Sequence, residues 1–118
     1  MMDRINKVNQ AIKREVSDIL NTELQDPRFR FVTITAAEVS RDLQYAKIFY
    51  SVLGDEQKAI QAQEALNSAS GHVRKLVGQR VRMRYTPQIE FIFDRSIEHS
   101  IRIENAIERI KSGPTENS

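Results

Sequence analysis

Each helical segment of this chain shows a single apolar stripe, and that limits the architectures open to it. A helix with one such stripe must lay it against a partner and leave its other sides in water. Ile5, Val8, Ile12, Val16, Ile19, Leu20 and Leu24 recur at spacings of three and four, which predicts a helix from about Arg4 to Gln25. Pro27 disfavours helical geometry at Asp26, so the helix should stop there. Arg4, Lys7 and Arg14 lie near one polar stripe interleaved with acids, as on a salt-bridged surface.

The period then changes to two. Phe31 to Val39 is rich in Val, Thr and Ile; Val32, Ile34 and Ala36 alternate, but Val39 falls out of phase. An extra residue near Ala36-Ala37 restores the phase, which predicts a bulge there. Ser40-Arg41-Asp42 is turn chemistry, and Ala46, Ile48, Tyr50 and Val52 alternate in a second strand, giving an antiparallel hairpin. Tyr45, Lys47 and Phe49 point to the opposite face, where they either cover the sheet or stack bases.

Asp55 is a good N-cap for the next helix, whose stripe is Ala59, Ala62, Leu66, Ala69, Val73, Leu76 and Val77. Local propensity fails at Ser68-Ala69-Ser70-Gly71, because Ser bonds its own backbone and Gly costs roughly 1 kcal/mol against Ala. A continuous pattern with one weak point predicts two helices joined by a kink at Ala69, Ser70 and Gly71. Pro87 introduces a third strand, Gln88 to Asp94, with Ile89, Phe91 and Phe93 inward and Ile92 outward. Asp94 to Ser96 should cap a last helix with Ile103, Ala106, Ile107 and Ile110 facing inward. The tail, 112–118, has no apolar anchor and should be disordered. The expected fold is α+β, in the order α-β-β-α-kink-α-β-α: a three-stranded sheet with helices on one face, forming one domain over residues 1–111.

Charge is distributed unevenly along this scaffold. The chain has 18 Lys+Arg against 16 Asp+Glu, yet no carboxylate occurs from Ala65 to Ile89. Arg74, Lys75, Arg80, Arg82 and Arg84 fall in that stretch. Without those five, the remainder has 13 cations against 16 carboxylates. A local field of one sign suits a polyanion, whereas a solvated basic helix is the plainer alternative. Lys75, Gln79 and Arg82 should share one exposed stripe. A second helix starting at Ser70-Gly71 would add its free N–H groups to the field.

Catalytic patterns are missing. The chain has no cysteine. His72 and His99 have no second ligand at i+4, so no metal site is expected. Gly54, Gly71, Gly78 and Gly113 fit neither nucleotide fingerprint, and no nucleophile elbow is present. Asp26, beside Pro27-Arg28, is explained by helix-end capping and an ion pair. No cofactor, small-molecule substrate or enzyme activity is expected. The N-terminus has no signal-peptide pattern and no apolar run approaches membrane length, so a cytoplasmic protein is expected.

The segments REVSDILNTELQDPR (14–28), VTITAAEVSRDLQYAKIFYSVLG (32–54) and RYTPQIEFIFDRSIEHSIRIENAIERI (84–110) resemble the bacterial ribosome-binding factor A family, collinearly from about Arg4 to Ile110. The resemblance implies a type II KH-like fold, in agreement with the element order. It also implies an assembly factor of the small ribosomal subunit that binds free subunits and 16S rRNA, helps mature the rRNA 5′ end, leaves before translation, and matters for growth in the cold. An ordinary KH domain clamps single strands with a GXXG loop. Here Ala69-Ser70-Gly71 resembles the family's interrupted helix instead, and recognition should rest on folded shape and phosphates. Ser100 stands where relatives often carry glycine, and the tail is short.

The expected RNA-binding residues are Arg74, Lys75, Arg80, Arg82 and Arg84 on phosphates, with hydrogen bonds from Asn67, Ser68 and Ser70 at the kink. Structural roles are the alternatives for two of them: Arg84 beside Tyr85 and Pro87, and Arg80 paired with an acid from another element. A monomer is expected. The competing reading is a protein-interaction module whose basic face meets an acidic protein, and an rRNA-processing nuclease has no residues to carry its chemistry.

Overall fold

A computed structural model describes residues 4–95. The expected last helix, the tail and His99 lie outside the described residues. The element order is α1 (Arg4–Thr22), a 3-10 turn (Pro27–Phe29), β1 (Val32–Val39), β2 (Tyr45–Val52), α2 (Glu56–Arg80) and β3 (Gln88–Phe93). α1 buries Ile12, Val16, Ile19 and Leu20, the stripe its spacing predicts. It ends three residues before Gln25. Asp26 then caps the 3-10 turn instead: its carboxylate accepts from the Arg28 backbone N–H at 2.9 Å, with Pro27 in the first turn. The turn drives Phe29 into the core, where it is 4% exposed.

β1 and β2 pair antiparallel, and the register slips between Ile34 and Ala36, so Thr35 is the extra residue. The bulge thus lies just before the expected Ala36-Ala37. Its effect is that Ala37, not Ala36, joins Ile34 and Val39 in the core. The hairpin turn is closed by its own side chains. Ser40 Oγ donates to Asp42 Oδ1 at 2.7 Å, and the same oxygen accepts from the Gln44 N–H at 3.1 Å. Leu43 takes a left-handed φ of 61° to complete the reversal while its side chain packs on the core.

Gly54, at φ 136°, turns the chain into α2 in a conformation that side chains rarely adopt. Asp55 caps the helix, accepting from the Lys58 N–H at 2.9 Å. α2 then runs without interruption from Glu56 to Arg80, so the expected pair of helices joined at Ala69, Ser70 and Gly71 is replaced by one. No helix N-terminus exists at Ser70-Gly71 to add to the positive field. The reason is a matter of magnitude. Leu66, Val73 and Val77 are fully buried on either side of the weak point. Each such side chain contributes about 1.5–3 kcal/mol on burial, against about 1 kcal/mol lost at Gly71. Ser70 is satisfied inside the helix, its hydroxyl donating to the Asn67 carbonyl at 3.0 Å.

β3 returns parallel to β2, giving the sheet order β1-β2-β3 with β2 central. α1 lies mainly on β1, and α2 mainly on β3. Ala46, Ile48 and Tyr50 meet the stripes of both helices in one core cluster, with Ile89, Phe91 and Phe93 packed into it. Both helices therefore cover the same sheet face, in an α+β fold of the type II KH-like kind. Tyr50 anchors the sheet side: its ring meets Phe91 and Phe93 edge-on at 6.5 and 5.6 Å. Burial pushes its hydroxyl pKa up. On the other face Tyr45 and Lys47 are exposed and Phe49 is half-buried. Lys47 is in register with Glu38 on one side and Glu90 on the other, so its charge stands between two carboxylate-bearing positions.

Candidate nucleic-acid interface

The five cations of the carboxylate-free stretch divide by position. Arg80 lies on the apolar stripe of α2, three residues after Val77 and four after Leu76, and so faces α1 rather than solvent. There Nη1 stands 2.6 Å from Asp18 Oδ2 and 3.5 Å from Glu15 Oε1, and Nη2 donates to Glu23 Oε1 at 2.9 Å. The Asp18 hydrogen bond, with the charges of Glu23 and Glu15, raises the pKa of this guanidinium above its ordinary value. Arg80 therefore clamps helix to helix, and its charge is met by three carboxylates. That corrects the expectation that it meets phosphate and answers to the alternative of an acid from another element.

Arg74 is also committed. It leans over the segment that follows α2, with Nε donating to the Pro87 carbonyl at 3.2 Å and Nη2 to the Thr86 carbonyl at 2.9 Å. Its side chain is part-buried there, so its first task is to fasten the segment. Gly78 has a matching role, since a Cβ at this position would lie 2.6 Å from Thr86 Oγ1. The backbone after Arg80 folds against α2 at this glycine.

Lys75, Arg82 and Arg84 remain. All three are exposed, and among the described residues none forms an ion pair. Lys75 and Gln79 are exposed on α2 as expected. Arg82 lies beyond the helix, whose C-cap, Val81, is already extended at φ −109° and ψ 120°. Residues 81–84 alternate: Val81 and Met83 pack on the core, and Arg82 and Arg84 point outward. The Arg84 guanidinium lies 5.5 Å from the Tyr85 ring centroid. Pro87 is fully buried and closes the segment. Asn67 and Ser68 are exposed, and Ser70 half-buried, one to two turns before Lys75 on the same helix.

Sequence reasoning missed two participants. Gly78 matters as the point of close approach, and Tyr85 is 64% exposed beside the cations. The signal for Arg80 was present, because its spacing continues the apolar stripe. The signal for Arg74 was not, because it depends on where the returning segment passes. Among the described residues no group of three or more His, Asp or Glu is placed to hold a metal, and no helix is long and apolar enough to cross a membrane.

Fold and surface together define a class: a small α+β domain of KH-like topology with a cationic edge at the C-terminal end of its long helix. The family model for ribosome-binding factor A matches residues 4–107, and the chain belongs to that family. It is 44% identical over 108 residues to ribosome-binding factor A of Halothermothrix orenii, covering 92% of this chain and 88% of that protein. It is 45% identical over 107 residues to that of Acetivibrio thermocellus, covering 90% and 87%. The crystal structure of the Thermus thermophilus factor superposes with a TM-score of 0.68 at 26% identity, over 76% of this chain and 96% of that one. A homology model of the Thermus thermophilus factor, fitted into a cryo-electron-microscopy map of a 30S–RbfA complex, gives a TM-score of 0.61 at 28% identity, over 74% and 91%.

Proposed function

We propose that this chain is an assembly and maturation factor of the small ribosomal subunit. It binds free subunits and 16S rRNA, supports processing of the rRNA 5′ end, and leaves before translation. The observation that carries this reading is the exposure of Lys75, Arg82 and Arg84, without an ion pair among the described residues, in a stretch that has no carboxylate. Such groups release counterions when they meet phosphate. The Thermus thermophilus relative fitted into a 30S–RbfA map supports the choice of partner.

The mode of action is differential binding to one rRNA conformation, with no bond made or broken by the protein. Misfolded RNA helices escape slowly at low temperature, so a protein that holds the maturing form gains importance in the cold. The factor acts as a cytoplasmic monomer, without a cofactor or small-molecule substrate. Asn67, Ser68 and Ser70 add hydrogen bonds along α2, and Arg74 holds the neighbouring segment in place.

Co-sedimentation with purified small subunits tests this reading. The wild type should travel with the subunit, and Lys75→Gln/Arg82→Gln/Arg84→Gln should not, at an unchanged melting temperature. Association that survives nuclease digestion of the rRNA would move the reading to an acidic protein partner.

A further inference from the structure

Tyr85 is one of five large apolar side chains left exposed among the described residues, and the one that falls within the carboxylate-free stretch. The segment that carries it is held on several sides. Val81 and Met83 are packed on the core before it, Pro87 is buried after it, and Arg74 binds the carbonyls of Thr86 and Pro87. Thr86 is seated against Gly78. An aromatic ring on backbone fixed in this way loses little freedom on binding, which favours contact with a flat partner.

Its neighbours specify the chemistry of that partner. Arg82 and Arg84 are both exposed, two residues apart in the chain, just before the ring. Arg84 already lies near the ring at 5.5 Å. A flat platform beside cations matches a base with its neighbouring phosphates, because every base offers a π-face and a backbone charge beside it.

We infer that residues 81–87 form a preformed platform for an unpaired nucleotide of RNA, with Tyr85 stacking on the base and Arg82 and Arg84 meeting its neighbouring phosphates. This rests on the RNA-binding reading above and adds that single-stranded RNA, rather than duplex, is what the segment reads. The contact lies in the segment after α2, separate from the Ser70-Gly71 region.

The chain contains no tryptophan, so Tyr85→Trp installs a single reporter. Its fluorescence should be quenched by a short single-stranded oligouridylate and little changed by a blunt RNA duplex of the same length. Tyr85→Ala should weaken oligouridylate binding by on the order of 10- to 100-fold with the salt dependence unchanged, and Tyr85→Phe should bind like wild type. Melting curves of all three should match the wild type, because the side chain is exposed. Oligouridylate binding by Tyr85→Ala at wild-type strength, a bound but unquenched tryptophan, or no oligouridylate binding by the wild type would each overturn the inference. If any of these occurs while the wild type still travels with small subunits, the stacking contact falls and the assembly-factor reading stands.

Discussion

Arg80 Nη1 lies 2.6 Å from Asp18 Oδ2, and this contact joins the last turn of α2 to the C-terminal part of α1. Glu15 and Glu23 complete a ring of three carboxylates around one guanidinium. A cation so placed serves the fold, whereas Arg82, two residues on, serves the surface. Arg80→Gln should therefore lower the melting temperature by a few degrees, leaving the salt dependence of subunit binding as it was. Arg80→Glu should be worse, since it places a fourth carboxylate among three. Arg82→Gln should do the reverse: an unchanged melting temperature, and a salt slope reduced by about one. Thermal melts and binding isotherms at several salt concentrations separate the two arginines.

Two glycines of α2 make opposite predictions. No atom lies within 4 Å of a Cβ built at Gly71, so Gly71→Ala should stabilise the protein by about 0.5–1 kcal/mol through helix propensity alone. A Cβ at Gly78 meets Thr86 Oγ1 at 2.6 Å, and Thr86 is β-branched and stiff. Gly78→Ala should therefore fail to stabilise, and should loosen the segment that Arg74 fastens. Urea unfolding of the two variants checks both. A loss of stability in Gly71→Ala would contradict a continuous helix.

Acid should weaken the fold through two turns. The Arg28 side chain, then its backbone N–H, holds the Asp26 carboxyl below its ordinary 3.8. The Ser40 hydroxyl and the Gln44 N–H do the same for Asp42. Groups with lowered folded values bind fewer protons in the native state than in the unfolded chain. Their stabilisation is complete above the ordinary carboxylate value and is lost as pH falls through the lower folded values. Asp42→Asn should remove its share of that acid limb, so the variant's melting temperature falls less steeply with acid than the wild type's. Melting temperature against pH, from neutral to about 2, measures it.

Leu66 is fully buried in the core that the sheet shares with both helices. Leu66→Ala should cost about 2–5 kcal/mol, a large share of the roughly 5–15 kcal/mol typical of a domain. Chemical denaturation with an unchanged m-value would show that the loss comes from the core.

Much of the fold is legible in the apolar spacing alone. The α1 stripe, the hairpin with its Ser40–Asp42 turn, the Asp55 cap and the inward set of β3 all follow from local pattern and appear as read. The bulge follows too, displaced to Thr35 because two alanines in a row leave the phase ambiguous by a residue. The continuity of α2 was hidden, since propensity at Ser70 and Gly71 argues for a break. What overrides it is burial on partners distant in sequence. Parallel pairing of β3 with β2 is likewise a tertiary fact. The cationic stretch is plain in the sequence, but its division into clamp, fastener and free surface is less so. Arg74 and Lys75 are adjacent in the chain and differ only in what passes beside them.

The most direct measurement is the salt dependence of binding to purified small subunits, wild type against Lys75→Gln/Arg82→Gln/Arg84→Gln. Loss of three phosphate contacts should lower the log–log slope by roughly two to three and weaken binding, with the melting temperature unchanged. A folded triple variant with the wild-type slope and affinity would contradict the account.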